Sequence, residues 1–316
     1  MLLAFSAGFS VYFFLEDPAR GAPTLEHASL SPKHFTPTKV ISNEDSGSNT
    51  KLLELRLPKL LLPKDNPEEI FAPIWSVFIK DDDIQVERPY TPLNGVDDDG
   101  RMLFWIKEYP SGEVGRWLHL KKSEDCVEIR GPLKTWMWKE DTWDDVVMIS
   151  GGTGITPFVQ LFNNHISRNP PSNTRFTLLH SSRTPAELPP PTLLNPLSQF
   201  AAKHPDRFRF HVFVDEQDGS KASAIVPPLN TGRISEASLK KCLSTGEESS
   251  SWWTRLFSKP QEAPPRRILF LVCGPEPNTQ RMIGAIAGPY GRNFSQGPVG
   301  GILAKLGYNA DQVYKL

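Results

Sequence analysis

The chain has 316 residues, 39% of them hydrophobic, and a formal net charge of −1 at pH 7. A chain of this length holds about two domains, and its balanced charge argues against a general affinity for nucleic acid. The three cysteines lie far apart, which argues against a disulfide framework and a cysteine-based metal motif. The seven histidines lack metal-ligand spacing such as H-E-x-x-H, so we expect no zinc site.

The N-terminal residues 1–15, MLLAFSAGFSVYFFL, are almost wholly apolar, and Glu16 ends the run. A full membrane span takes about 20 apolar residues, and the segment lacks the basic start of a secretory signal. A membrane anchor, a targeting remnant and an apolar segment that packs on protein all stay open. We predict an anchor at residues 1–16, hence contact with a membrane, and a linker at residues 17–32.

Short strand-like segments dominate the next part of the chain. Several alternate apolar and polar residues with a period of two, and Asn94-Gly95 and Asp99-Gly100 supply turn signals between them. Many short strands with little helix predict an antiparallel β-barrel or sandwich over residues 33–137. The predicted strands are Thr38–Ser42, Lys51–Leu57, Ile74–Ile79, Met102–Lys107 and Cys126–Arg130.

From about Trp143 the strands alternate with helical segments. This order predicts a second, α/β domain with a parallel sheet over residues 143–316. Insertions are expected near residues 184–206 and 243–265, and the proline-rich Thr184–Pro196 is predicted to be a loop. The predicted strands are Val146–Ile149, Arg175–His180, Phe208–Val214 and Arg267–Cys273.

A glycine turn lies between the first of these strands and a helix start, in Ile149–Phe162 (ISGGTGITPFVQLF). Glycine lets a backbone turn sharply and approach a ligand closely, and a helix start presents free N–H groups. The segment therefore raises the question of whether this turn holds a phosphate. Its spacing differs from G-x-G-x-x-G, so the Rossmann fingerprint does not apply.

A second compact motif, Arg88–Pro92 (RPYTP), combines a guanidinium, a phenol ring and a hydroxyl. Arginine suits bidentate binding of phosphate, Tyr90 offers an aromatic face, and Thr91 offers a short hydrogen-bonding group. The alternative is a plain turn with a surface arginine, and the motif alone does not decide between the two.

Further motifs follow in order: Ile106–Tyr109 (IKEY), Ser111–Leu118 (SGEVGRWL), Cys126–Pro132 (CVEIRGP) and Cys273–Pro277 (CGPEP). Together with RPYTP and GGTGITP, this set resembles the ferredoxin-NADP reductase superfamily, most closely its NADH–cytochrome b5 reductase branch. The resemblance implies an antiparallel FAD-binding β-barrel followed by a parallel-sheet NAD(P)-binding α/β domain. It also implies hydride transfer from NADH or NADPH to FAD and electron transfer onward to a haem protein.

The resemblance assigns FAD contacts to the first domain. Arg88 would contact the FAD pyrophosphate, and Tyr90, after Pro89, would lie against the isoalloxazine. Thr91 would hydrogen-bond near flavin N5 and is a candidate catalytic residue. The other candidate contacts are Ile106 and Tyr109 on the ribityl and adenine side, Lys107 between them, and Val114 and Gly115 in the phosphate-binding segment, where family members often have serine in place of Gly115.

The resemblance also places a nicotinamide dinucleotide against the glycine turn and the CGPEP motif. The turn backbone would surround the pyrophosphate, and Thr156 would touch the flavin side of the cleft. Cys273 would lie where nicotinamide C4 meets flavin N5, as a second candidate catalytic residue; a buried strand-end thiol is the alternative. The candidate contacts are Gly151, Gly152, Thr153, Gly154, Thr156, Cys273, Gly274 and Pro275.

Arg183 follows the second strand of the α/β domain. An acidic residue at this place holds the ribose 2′-hydroxyl of NADH, whereas an arginine holds the 2′-phosphate of NADPH. Arg183 therefore favours NADPH, the resembling branch implies NADH, and the first nearby acid is Glu187. We predict that both donors are used.

Cytochrome b5 is the electron acceptor that the family implies, and the chain has no cysteine set for an iron–sulfur cluster. The apolar N-terminus, a late insertion and the ending are also similar to fungal mitochondrial flavoproteins that reduce haem or its carrier during cytochrome c maturation. That similarity predicts the mitochondrial inner membrane, with the endoplasmic reticulum or mitochondrial outer membrane as alternatives. A non-catalytic flavin-fold scaffold or assembly factor is the rival function.

Overall fold

The computed structural model describes most of the chain. It covers residues 22–63, 71, 73–81, 85–110, 112–168, 173–220, 227–244, 266–274, 279–291 and 295–316. The predicted anchor, Pro275 and nearly all of the predicted 243–265 insertion lie outside these residues. Within the described part of the chain, no helix is both long and apolar enough to cross a membrane.

An antiparallel sheet of six strands forms the first domain, in the order β4-β3-β6-β1-β2-β5. Its strands are β1 (Thr36–Gly47), β2 (Thr50–Arg56), β3 (Ile74–Lys80), β4 (Glu87–Tyr90), β5 (Arg101–Lys107) and β6 (Cys126–Trp136). Side chains from one face of these strands share a single hydrophobic core, so the sheet curls around that core. This arrangement confirms the predicted antiparallel β domain.

One helix, α1 (Glu113–Leu120), follows β5, and the strand pattern alone does not predict it. Val114 and Leu118 bury one side of α1 against the barrel core. Glu113 places a negative charge in the first turn, where the helix dipole favours it. The helix therefore packs beside the last strand of the sheet with its N-terminus near the end of β5.

A parallel sheet of six strands forms the second domain, in the order β10-β9-β8-β7-β11-β12. Its strands are β7 (Asp145–Gly151), β8 (Arg175–Ser182), β9 (Phe208–Val214), β10 (Asn230–Thr231), β11 (Ile268–Cys273) and β12 (Val313–Lys315). The described strand pairs in this sheet are all parallel, which confirms the predicted α/β domain. The described helices are α2 (Thr156–Leu161), which continues in a π-helical turn (Phe162–Ile166), α3 (Pro191–Lys203), α4 (Glu236–Ser244), α5 (Thr279–Ala287) and α6 (Gly301–Lys305).

The loop prediction for Thr184–Pro196 is wrong in its second half, because α3 begins there at Pro191. Proline suits the first helical position, where no intrahelical N–H bond is needed. Leu193, Leu194 and Leu197 follow at helical spacing and are buried in the domain core. Their burial outweighs the low helix propensity that the prolines suggest.

The two domains share one hydrophobic core. Ile74, Leu93 and Trp105 of the first domain pack with residues of α2, α3 and one face of the parallel sheet. Across the same boundary, Gln160 Oε1 accepts a hydrogen bond from the Trp75 backbone N–H at 2.8 Å. The interface is therefore continuous with the core of the second domain and fixes how the two sheets face each other.

Strand β5 contributes to both cores because its residues alternate between two faces. Phe104 and Ile106 point into the barrel core, whereas Trp105 points into the shared interdomain core. This double burial explains why the segment is hydrophobic almost throughout.

We expect Leu93→Ala to lower the free energy of unfolding by roughly 2–5 kcal/mol, because it leaves a cavity between the domains. Leu93 is 3% exposed, whereas Leu60 is 79% exposed, so Leu60→Ala is the matched control. The control should change stability by no more than about 0.5 kcal/mol. Urea unfolding followed by tryptophan fluorescence measures both variants, and equal losses would contradict the role assigned to Leu93.

Candidate active site

The carboxyl edge of the parallel sheet contains a topological switch point. From β7 the chain proceeds through β8, β9 and β10 on one side, and β11 returns to the other side of β7. Open α/β sheets bind ligands in the crevice at such a point. Ser150 on β7 lies in register with His180 on β8 and Cys273 on β11, so the loops after these strands meet there.

The turn that follows β7 contains the predicted glycines. Gly151 is the last residue of β7, and a 3₁₀ turn (Gly152–Ile155) leads into α2. Gly152 has a φ of +51°, a left-handed conformation that glycine adopts at little cost. The Thr156 hydroxyl donates a hydrogen bond to the Thr153 carbonyl oxygen at 3.0 Å, which holds the turn closed.

Gly154 brings this turn into backbone contact with the end of β11. A Cβ atom at Gly154 would lie 2.5 Å from the Cys273 carbonyl oxygen and equally close to the Gly274 backbone. No side chain fits at that distance, so the two loops approach each other only because the residue is glycine. Two motifs that are far apart in sequence thus form one continuous backbone surface.

The Cys273 thiol is uncharged at neutral pH. Cys273 is partly exposed as a residue, yet burial raises the pKa of its thiol to about 12, against a smaller opposing effect of a hydrogen bond with the Gly274 backbone. Because the thiolate is the nucleophilic form, Cys273 is suited to packing against a ligand and not to covalent attack.

The RPYTP motif lies on the edge of the antiparallel sheet. Arg88, Pro89 and Tyr90 belong to β4, which is an end strand of the sheet, and Thr91 follows it half-buried. Arg88 is exposed, and its Nη1 donates to the Glu87 carbonyl oxygen at 2.9 Å. The guanidinium is therefore accessible and lies close enough to the half-buried Tyr90 for its charge to act on the phenol.

Two tyrosines connect this motif to the glycine turn. Burial raises the pKa of Tyr90; the Arg88 charge opposes the shift, and the nearby Tyr109 phenol adds to it. Burial also raises the pKa of Tyr109, against a side-chain hydrogen bond with Thr153. Both phenols are therefore neutral at physiological pH. Because Thr153 lies in the glycine turn, Tyr109 lies beside both the RPYTP motif and the second domain.

An ion-pair triad forms a second link between the domains. Glu187 Oε2 lies 2.8 Å from Lys107 Nζ at the end of β5, and Glu187 Oε1 contacts Arg183 Nη2. Burial opposes ionisation of Glu187, but hydrogen bonds from Arg183 and Lys107 outweigh it and hold the pKa of the carboxyl below its ordinary value. Glu187 is therefore ionised at neutral pH.

For three of the predicted contact residues, Ile106, Val114 and Gly115, no side chain is available to touch a ligand, so any contact would be through the backbone. The side chains of Ile106 and Val114 lie in the barrel core. Gly115 packs so closely on β5 that a Cβ would lie 3.1 Å from the Lys107 carbonyl oxygen. Helix α1 begins after Gly112 without a side-chain cap, so its first N–H groups are suited to an anion.

Sequence reasoning names Lys107, Arg183 and Glu187 separately but does not find that they contact one another. The i, i+4 spacing of Arg183 and Glu187 is a usable signal for their ion pair. Lys107 is 80 residues from Glu187, and no local pattern connects them. The contact of His180 with Ser150 depends on strand register, which the sequence does not reveal.

Comparisons with known proteins agree with the architecture. Residues 37–138 match the oxidoreductase FAD-binding domain, and residues 148–284 match the oxidoreductase NAD-binding domain. The NADH-cytochrome b5 reductase 2 of Scheffersomyces stipitis is 31% identical over 279 residues, which is 88% of this chain and 82% of that protein. The protein of the same name from Candida glabrata is 30% identical over 275 residues, which is 87% of this chain and 76% of that protein.

Solved structures show the same fold. The cytochrome b5 reductase domain of Ulva prolifera nitrate reductase superposes with a TM-score of 0.62 and 21% identity, covering 92% of this chain and 100% of that one. The CS-b5R domains of human Ncb5or superpose with a TM-score of 0.60 and 19% identity, covering 89% of this chain and 69% of that one.

The fold and the site thus define a two-domain flavoprotein oxidoreductase. The chain belongs to the FAD- and NAD-binding oxidoreductases of the ferredoxin-NADP reductase superfamily, in the family of the NADH–cytochrome b5 reductases. Its residues fit both cofactors: β4 presents an exposed arginine beside a half-buried tyrosine, α1 is uncapped, and the turn at the end of β7 carries three glycines.

We expect Gly154→Ala to lower the free energy of unfolding by roughly 1–3 kcal/mol, because the added methyl group overpacks two backbone segments. Gly284→Ala in α5 is the control, since a Cβ there meets nothing within 4 Å. Separation of the loops should also increase alkylation of Cys273 by iodoacetamide at pH 8, which peptide mass spectrometry measures. Equal stability and alkylation in both variants would contradict the close approach.

Proposed function

We propose that this protein is a membrane-associated flavoprotein reductase that prefers NADH as donor and delivers electrons to a haem protein. The observation that carries the proposal is the pair of links between the domains, from Tyr109 to Thr153 and from Lys107 to Glu187. They support a single site formed by the RPYTP edge and the switch-point crevice. When bound there, FAD would accept a hydride from the pyridine nucleotide and release electrons to an acceptor.

The first domain's own residues would hold and orient FAD. We assign the pyrophosphate to the Arg88 guanidinium and to the N–H groups at the start of α1, because both are accessible and suited to anions. The neutral Tyr90 ring would lie against the flavin, and Thr91 would offer its hydroxyl at the ring edge. Tyr109 would cover the adenine side while it bonds to Thr153.

The second domain's residues would bind the dinucleotide and exclude water. The turn Gly151–Gly154 would follow the pyrophosphate with bare backbone, and Thr156 would keep the turn closed through its bond to Thr153. Cys273 would pack its neutral thiol beside the reacting rings, and Gly274 would allow close approach. No proton donor is required for hydride transfer, so these residues act by position.

The ion pair between Arg183 and Glu187 supports NADH as the preferred donor. Arg183 is exposed and pairs with Glu187, which also holds Lys107, so a 2′-phosphate at Arg183 would lie beside this carboxylate and be repelled by it. The Glu187 carboxylate lies after β8, where an acidic residue suits a ribose 2′-hydroxyl. The names of the yeast relatives, which are NADH-cytochrome b5 reductases, agree with this preference. NADPH would be a slower second donor.

Cytochrome b5 is the acceptor that the relatives' names suggest. The apolar residues 1–15 support attachment to a membrane. The similarity to fungal mitochondrial flavoproteins of cytochrome c maturation makes haem in that process the second candidate, at the mitochondrial inner membrane.

Anaerobic stopped-flow absorbance tests the reductase. The full chain, in detergent and loaded with FAD, is mixed with NADH and then with NADPH; we expect rapid bleaching of the flavin band, faster with NADH. Cytochrome b5 and free haemin are then offered separately, and the faster acceptor identifies the partner. A flavin that stays oxidised with both donors would instead favour the scaffold function, and a tagged chain found only in the endoplasmic reticulum would contradict the mitochondrial location.

We expect Glu187→Gln to raise kcat/KM for NADPH relative to NADH by about tenfold, a change of 1.4 kcal/mol. The substitution frees Arg183 and removes the acceptor for the ribose hydroxyl. Glu236→Gln is the control, because Glu236 forms a similar i, i+4 ion pair with Lys240 on α4. Steady-state kinetics with both donors measure the ratio, and an unchanged ratio in Glu187→Gln would refute this account of donor choice.

A further inference from the structure

A buried polar chain runs from the centre of the parallel sheet to the turn that carries Glu187. His180 on β8 is fully buried, and its Nδ1 lies 2.9 Å from the Ser150 hydroxyl on β7. Its Nε2 lies 3.2 Å from the Ser182 hydroxyl, which donates in turn to the Glu187 carbonyl oxygen at 3.4 Å. Both imidazole nitrogens are therefore paired.

We propose that His180 is a positioning residue for pyridine-nucleotide recognition, which acts through Ser182 to hold the 183–187 turn in place. The turn contains Arg183 and Glu187, which form the triad with Lys107 of the other domain. This inference rests on the proposed function, because it concerns the nucleotide that the reductase would bind.

The surroundings of His180 indicate that its role is to direct two hydrogen bonds. Its neighbours in register are Ser150 on β7 and Val212 on β9, and the adjoining Leu179 is fully buried. Burying an imidazole in such a place costs free energy unless its nitrogens are hydrogen-bonded. A leucine would fill the volume without that cost, so the specific contribution of histidine is the pair of directed hydrogen bonds.

The His180 imidazole is the uncharged member of this row of hydrogen-bonded groups. Burial lowers the pKa of His180 to about 3, so the ring carries no charge at neutral pH. A neutral imidazole has one donor and one acceptor nitrogen, and a hydroxyl partner can serve either. The ring therefore joins β7 to the turn after β8 without bringing charge into the core.

Two amide substitutions separate the two ends of the ring. In His180→Asn the shorter side chain places an amide near the Nδ1 position and keeps only the bond to Ser150. In His180→Gln the longer side chain reaches the Nε2 position and can keep the bond to Ser182. If the ring acts through Ser182, glutamine should rescue nucleotide binding and asparagine should not.

Calorimetric titration of the oxidised, FAD-loaded full chain with NAD+ measures the effect without catalysis. We expect Ser182→Ala and His180→Asn to weaken NAD+ binding about 5- to 10-fold, the size of one lost hydrogen bond. His180→Gln should remain within about twofold of wild type. In stopped-flow and steady-state assays the KM for NADH should rise with little change in kcat.

Thr177→Val is the matched control, since Thr177 is a buried polar residue on the same strand, outside the site. Equal NAD+ affinity in Ser182→Ala, His180→Asn and Thr177→Val would overturn the inference. If the histidine variants do not fold, Ser182→Ala, the smallest change, decides alone. A wild-type protein that neither binds NAD+ nor bleaches with NADH would overturn the proposed function together with this inference, whereas normal wild-type behaviour with unaffected variants would overturn the inference only.

Discussion

The packing of the two sheets against each other is the constraint on which the rest of the molecule depends. Trp105 projects from the outer face of β5 into the core of the second domain, while Gln160 binds the backbone of Trp75 in the opposite direction. Buried apolar surface supplies most of the stabilisation at such a contact, and the directed hydrogen bond selects one orientation. Because the apolar core is continuous across this interface, it fixes how the edges of the two sheets that would bind the cofactors face each other.

The side chains in the crevice that would pack against the reacting rings are uncharged. Burial keeps the phenols of Tyr90 and Tyr109 and the thiol of Cys273 uncharged, as suits groups that would pack against flat, reacting rings. The ionised groups are Arg88 beside Tyr90 and the triad centred on Glu187. Shape and exclusion of water would therefore come from the neutral groups, while recognition of the nucleotide would come from the charges.

The triad would also couple nucleotide recognition to the placement of the two domains. Glu187 contacts Lys107 of the first domain and Arg183 of the second, so a ligand that draws Glu187 towards its ribose would weaken the ion pair between the domains. The exposed Arg183 has little to gain energetically from its ion pair in water, whereas Lys107 and Glu187 are both largely shielded. On the proposed account, donor choice and the relative placement of the two domains would share one carboxylate.

The sequence by itself determined the two domains, most of their strands and the order of the RPYTP, glycine-turn and CGPEP motifs, because period-two burial and glycine chemistry are local properties. The start of α3 within a proline-rich segment was not predictable, since the burial of Leu193 and Leu197 overrides local propensity. Only the tertiary structure decided that Gly154 touches Gly274, that Glu187 holds Lys107, and that His180 meets Ser150. Each of these contacts joins residues that lie far apart along the chain, and strand register and domain packing set their distances.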